Sequence, residues 1–224
     1  NTESIIQDSN LSTGVAGIMI DENGHNAINI VAGAAGHLQN IDIDKNLDVI
    51  KDSKIFLTQM ETPDLTTMYA LKKAKENNCL TILNPAPARK IQKEDFSLLD
   101  FFTPNETEAE FYLNKKIETK EDIQNAAKEF LSMGVKNIII TLGAKGVYFE
   151  NAKENYFIEA LSLKNEVIDT TGAGDAFNGA LAVALAKDSN YKDAIIFANK
   201  VGGISTTRLG AANSMPLLKE VAEY

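Results

Sequence analysis

Short β-branched runs alternate with apolar-striped helical patterns over most of the chain. Val15 to Asp21 and Asn26 to Val31 read as two apolar strands joined at Glu22-Asn23-Gly24, a hairpin turn. A repeating α/β rhythm follows. Lys54 to Thr58 reads as a strand, Asp64 to Asn77 as a helix capped by Asp64, and Leu80 to Leu83 as a strand ended by Asn84-Pro85. Leu99 to Thr103 is a further strand; Glu106 to Leu113 and Lys120 to Met133 are helices; Asn137 to Thr141 is a buried strand. Gly146 to Glu150 and Tyr156 to Ile158 read as an antiparallel excursion. Glu166 to Ile168 is a short strand, and Gly174 to Lys187 and Tyr191 to Ile204 are the longest apolar-striped helices. Strands separated by helices predict a doubly wound, mostly parallel α/β sheet flanked by helices, with the early hairpin as a small β lid over about residues 12–36. Ligands of such sheets bind at the C-terminal strand ends.

Composition narrows this picture. The chain has 224 residues, enough for one large domain, here taken as 1–224. The formal net charge of -9 argues against nucleic-acid binding, which needs basic faces, but leaves room for a nucleotide held by backbone N–H groups. No apolar run approaches the roughly 18 to 20 residues of a membrane span. The single Cys79 excludes an internal disulfide and fits a cytoplasmic location. His25 and His37 stand alone, without a metal or triad pattern.

The segment Asp169-Thr170-Thr171-Gly172-Ala173-Gly174-Asp175-Ala176-Phe177 carries the candidate chemistry. Gly172-Ala173-Gly174 lets a ligand approach the backbone, and the start of the following helix offers free N–H groups and a dipole to an anion. Asp175 is placed to take a proton from an attacking hydroxyl while those N–H groups stabilise a transferring phosphoryl group. Two plainer readings exist for the triplet: a tight turn with Asp175 favouring the helix start, or a degraded dinucleotide fingerprint. The spacing Gly172, Gly174, Gly179 misses the fingerprint. The whole string closely resembles the C-terminal signature of the ribokinase-like (PfkB) family of carbohydrate kinases.

Other stretches resemble the family in the same order. The resemblance implies that Asp175 is the catalytic base and that Gly172, Ala173 and Gly174 form the anion hole. It implies that Asn105 and Glu108, in Thr103-Pro104-Asn105-Glu106-Thr107-Glu108, organise Mg2+ and phosphate, Glu108 acting through water; by themselves the two would be an N-cap and an acidic first turn. Thr141, Gly143 and Gly146, otherwise a two-glycine turn, would lie along the ATP phosphates, and Asn199, otherwise one polar helix position, would line the adenine pocket. Lys145 has no assigned role. Asn84-Pro85-Ala86-Pro87-Ala88-Arg89 is typical of the ribose-phosphorylating branch, and Glu61 matches an acidic residue that contacts sugar. A monovalent cation, usually K+, would be held by side-chain oxygens of Asp169 and Ser214 and carbonyls of Thr171, Ser205, Arg208 and Gly210.

The family's opening strand with its sugar-binding Asp, and its Gly-Gly-Lys-Gly-x-Asn stretch, have no counterpart here. The expectation is an N-terminally incomplete kinase domain, poorly soluble or reliant on a partner because apolar edges are uncovered. The resemblance implies phosphoryl transfer from ATP to O5 of ribose, and a homodimer through the lid. The alternatives are another carbohydrate or nucleoside kinase of the family, or a nucleotide-binding fragment without catalysis.

Overall fold

The computed structural model describes residues 1–20 and 26–224; Asp21, the hairpin turn Glu22-Asn23-Gly24 and His25 lie outside the described residues. Two strands, β1 (Thr13–Ile20) and β2 (Asn26–Gly33), pair antiparallel as a small separate sheet. Helices α1 (Asn40–Lys45) and α2 (Leu47–Lys51) lead to the main sheet. Its six strands run in spatial order β3 (Ile55–Thr58), β4 (Leu80–Leu83), β5 (Phe101–Phe102), β6 (Asn137–Thr141), β7 (Val147–Asn151) and β8 (Asn155–Ile158). The first four are parallel; β7 runs antiparallel to β6, and β8 antiparallel to β7. Between and after them come α3 (Asp64–Glu76), α4 (Glu106–Leu113), α5 (Lys120–Met133), α6 (Ala173–Ala186), α7 (Tyr191–Ser205) and α8 (Leu218–Ala222).

The period of two along each strand divides the core between the sheet's faces. Leu83, Phe102, Ile138, Ile140 and Tyr148 point to one side, where Leu71 of α3, Leu113 of α4 and Phe130 of α5 cover them. Ile82, Phe101, Ile139 and Phe149 point to the other, against Phe177 and Leu181 of α6 and Ile195 of α7. Both faces are thus buried, which is why these strands read as continuous apolar runs. The helix starts follow their capping signals. Asn105 and Thr119 each form a reciprocal capping box with the acid three residues on, and Gly134 closes α5 in the left-handed region.

Three expectations are corrected. Glu166 to Ile168 is not a strand: it pairs with no strand among the described residues, and the backbone N–H groups of Ile168 and Asp169 donate instead to the Thr206 carbonyl. Asp64 is the first residue of α3 rather than its cap; extended Pro63 takes the cap position, and Asp64 pairs with Arg89 at 3.3 Å. β5 is shorter than Leu99 to Thr103, because Leu99 closes the 3-10 turn Lys93–Leu98 by donating to the Phe96 carbonyl. Cys79 is buried just before β4. Among the described residues no helix is long and apolar enough to cross a membrane.

Candidate active site

α6 begins at a backbone that only its glycines make easy. Gly172 sits in the left-handed region (φ 75°, ψ 4°) and turns the chain into the helix. The Ala173 N–H is satisfied by the Thr170 carbonyl, and the Ala176 N–H by that of Gly172. Among the described residues the N–H groups of Gly172, Gly174 and Asp175 have no acceptor. A Cβ at Gly174 would meet nothing within 4 Å, so the backbone there faces open space. Unpaired donors at the positive end of a helix, beside room for a ligand, suit an anion.

Asp175 is exposed in the first turn of this helix. Its Oδ1 accepts a 2.6 Å hydrogen bond from Gln59 Nε2, at the C-terminal end of β3. Its Oδ2 has no partner among the described residues. The contact joins the end of β3 to the start of α6; Glu61, two residues after Gln59, is exposed. Asp175 also lines a cavity of about 610 Å³ whose wall is largely apolar, including Val183, Phe197, Met215 and Leu218.

The expected phosphate-side residues lie together at the ends of β5 and β6. Asn105 and Thr141 form a parallel bridge, and the Thr141 N–H donates to the Pro104 carbonyl at 2.9 Å. Asn105 Oδ1 accepts from the Glu108 N–H at 2.7 Å, and Glu108 Oε2 accepts from the Asn105 N–H at 2.9 Å. The pair is therefore a helix cap whatever else it does. Burial pushes the Glu108 carboxyl up to about 7, against the opposing pull of the Asn105 N–H. A half-buried carboxylate short of donors suits a water-bridged divalent cation. Gly143 is exposed, and a Cβ added to it would meet no atom within 4 Å, whereas Gly146 is buried and faces the protein's own backbone.

Of the cation-site candidates, Asp169, Thr171 and Gly210 are joined directly. Asp169 Oδ1 accepts from the Thr171 N–H and Oδ2 from the Gly210 N–H, both at 2.9 Å, tying the loop before α6 to the loop after α7. Hydrogen bonds from Thr171, and then from Gly210, hold the Asp169 carboxyl below its ordinary value. Ser214 is buried and its hydroxyl donates to the Ala211 carbonyl. Ser205 is buried; its carbonyl accepts from the Arg208 N–H, and the Arg208 guanidinium pairs with Glu220 at 2.6 Å. Asn199 stands apart from these groups and donates to the Glu159 carbonyl at 2.7 Å. Four polar residues, Gln59, Asn84, Thr103 and Asn178, join behind the site in a way that their positions along the chain do not announce.

A helix start with unpaired N–H groups, a free carboxylate oxygen beside it and the Asn105–Thr141 pair at the C-terminal ends of neighbouring strands are features that a phosphotransferase acting on an alcohol group requires. Residues 1–218 match the family described as pfkB family carbohydrate kinase, and the chain belongs to that family. It is 38% identical over 222 residues to a ribokinase of Staphylococcus aureus, covering 99% of this chain and 72% of that protein. A ribokinase structure from Thermotoga maritima superposes with a TM-score of 0.84 at 40% identity, covering 95% of this chain and 69% of that one. The ribokinase of Arabidopsis thaliana, solved with ribose and ATP, superposes at 0.88 and 31% identity, over 96% and 69% of the two chains.

Proposed function

We propose that this kinase transfers the γ-phosphoryl group of ATP to O5 of D-ribose, with Asp175 as the general base. The observation that carries the reading is the pairing of a partnerless Asp175 Oδ2 with three acceptor-free N–H groups at the start of α6, among the described residues. Asp175 Oδ2 takes the proton of the sugar hydroxyl. The freed oxygen attacks the γ-phosphorus, the bond to the β–γ bridging oxygen breaks, and ADP leaves. The N–H groups of Gly172, Gly174 and Asp175 face the charge that develops on the phosphoryl oxygens, Asp175 replacing Ala173 of the expected anion hole because the Ala173 N–H is taken by the Thr170 carbonyl; one such preorganised donor is worth about 3 to 4 kcal/mol. Ribose as acceptor is supported by the ribokinases to which the chain is similar over nearly its whole length.

Thr141, Gly143 and Asn105 hold the nucleotide phosphates in this reading, with Gly146 shaping their loop and Asn199 on the adenine side; Glu61 accepts from sugar hydroxyls. Mg2+ neutralises phosphate charge when bound, and Glu108 is the residue placed to hold its water shell. A monovalent cation, K+, is proposed at Asp169 and Ser214 with the carbonyls of Thr171, Ser205, Arg208 and Gly210. Support comes from the Asp169 bridge between the two loops. The experiment is a product assay with ribose, deoxyribose and fructose, each with and without K+. Phosphorus NMR should find a new ester at O5 of ribose, formed faster with K+. Equal rates on all three sugars would sink the ribose assignment.

The lid sheet is proposed to pair with a second copy of the chain. A two-stranded sheet is marginal alone, and Val15, Met19 and Val31, on one of its faces, are all exposed. Sedimentation should show a dimer that Val31→Asp dissociates; a monomeric parent chain would contradict it.

A further inference from the structure

A chain of three amides and one hydroxyl runs behind the site from the ends of three parallel strands to the start of α6. Gln59, after β3, donates from Nε2 to Asp175 Oδ1 at 2.6 Å and to Asn84 Oδ1 at 3.3 Å. Asn84, after β4, donates from Nδ2 to the Thr103 carbonyl at 3.2 Å. Thr103, after β5, donates from its hydroxyl to Asn178 Oδ1 at 2.7 Å. Asn178, one turn into α6, donates from Nδ2 to the Gly174 carbonyl at 2.9 Å. Asn84, Thr103 and Asn178 are 7%, 1% and 3% exposed, so the bonds among them are shielded from bulk water.

The two ends of this chain close on one residue. The Gly174 carbonyl and the Asp175 N–H are opposite ends of a single peptide plane. The helix backbone already points the Asp175 N–H out of the start of α6, where it has no acceptor among the described residues, and Asn178 Nδ2 adds a second hold on the carbonyl end of the same peptide. Gln59 grips one oxygen of the same residue's carboxylate and leaves the other free. We propose that Gln59, Asn84, Thr103 and Asn178 form a clamp of positioning residues that fixes the base and an anion-hole N–H of Asp175 relative to each other. Buried polar chains whose members are all satisfied rigidify what they touch, and the strand ends supply the fixed frame. Gln59 acts on the carboxylate; Asn178, held by Thr103, acts on the peptide plane.

The clamp rests on Asp175 being the base, and a double-mutant cycle separates the two claims. Gln59→Met should lower kcat by about 10- to 100-fold, with the KM values for ATP and sugar within about twofold of the parent. In an Asp175→Asn background the same change should lower residual turnover by no more than about twofold, since the carboxylate it positions is gone. Thr103→Val should lower kcat similarly, and Thr103→Ser, which keeps the hydroxyl, should restore it. Equal losses in both backgrounds, or a raised KM with kcat intact, would overturn the clamp. An Asp175→Asn chain as active as the parent would instead overturn the base assignment. Hydrogen exchange decides the clamp without turnover. Amides of 176–179 should exchange at least about 10-fold faster in Asn178→Leu and in Thr103→Val, with α7 unchanged. Unaltered exchange in both variants would refute it even if the chain showed no kinase activity.

Discussion

Gly143 and Gly146 close the same loop, yet the structure gives them different reasons to be glycine. Gly146 has φ 95° and ψ −131°, a region that side chains other than hydrogen avoid. A Cβ there would lie 2.0 Å from the Ile158 carbonyl oxygen and 2.6 Å from the Ala160 nitrogen, both backbone atoms. Relief requires shifting β8 away from β7, where Val147 pairs with Ile158, and disturbs the 2.8 Å bond from the Leu142 N–H to the Gly146 carbonyl. Strain of about 1 to 3 kcal/mol plus overpacking of similar size gives roughly 2 to 6 kcal/mol of destabilisation for Gly146→Ala. Gly143 has φ 55° and nothing within 4 Å of its Cβ position, so Gly143→Ala should cost only about 1 to 2 kcal/mol. If Gly143 lies along the phosphates, the added methyl should weaken ADP binding by about tenfold or more, equivalent to about 1.4 kcal/mol. Urea unfolding of the parent and both variants measures the first pair of numbers, and calorimetry with ADP the second. A Gly146→Ala chain as stable as the parent, or a Gly143→Ala chain as damaged as Gly146→Ala, would refute the reasoning.

Asn105→Ala removes the acceptor for the Glu108 N–H and should destabilise the chain by about 1 kcal/mol, read from a urea midpoint. ADP affinity in the presence of Mg2+ should fall further than that stability change accounts for. The raised carboxyl of Glu108 gives a pH signature in metal-free protein. Its value in the fold, about 7, lies above the ordinary 4.5, so the ionised form is the one the fold disfavours. The parent is therefore favoured relative to Glu108→Gln below about pH 4.5 and loses that advantage as pH rises through 7. With allowance for partial solvent screening, the swing should be about 1 to 2 kcal/mol between about pH 4.5 and pH 8. Parallel stability curves for the two proteins across that range would contradict the burial account.

Long, strongly patterned elements are legible in the sequence alone. α5 and α6 carry both an apolar stripe and a start signal, and β4 and β6 are short apolar runs bounded by turns. Short elements are not: α1 and α2 have 6 and 5 residues, too few for a helical period to stand out. Glu166 to Ile168 has strand composition but no partner strand, and composition does not report pairing. The glycines and acid of the α6 start are visible because they are contiguous. Gln59 is silent in the sequence because its meaning depends on Asp175, 116 residues away, and no local spacing reports that contact. Likewise Asn178 and Thr103, 75 residues apart, look like a helix polar position and a strand end until the fold joins them.

The central claim is that Asp175 drives ATP-dependent phosphorylation of ribose. Its most direct test is ADP formation by the full chain with ATP, Mg2+ and K+, with and without ribose, beside Asp175→Asn. The account predicts ribose-dependent ADP release in the parent and a loss of about 100-fold or more in the variant, with ADP affinity preserved. Ribose-dependent release that survives in Asp175→Asn would contradict the base assignment, and release that ignores ribose would contradict the acceptor.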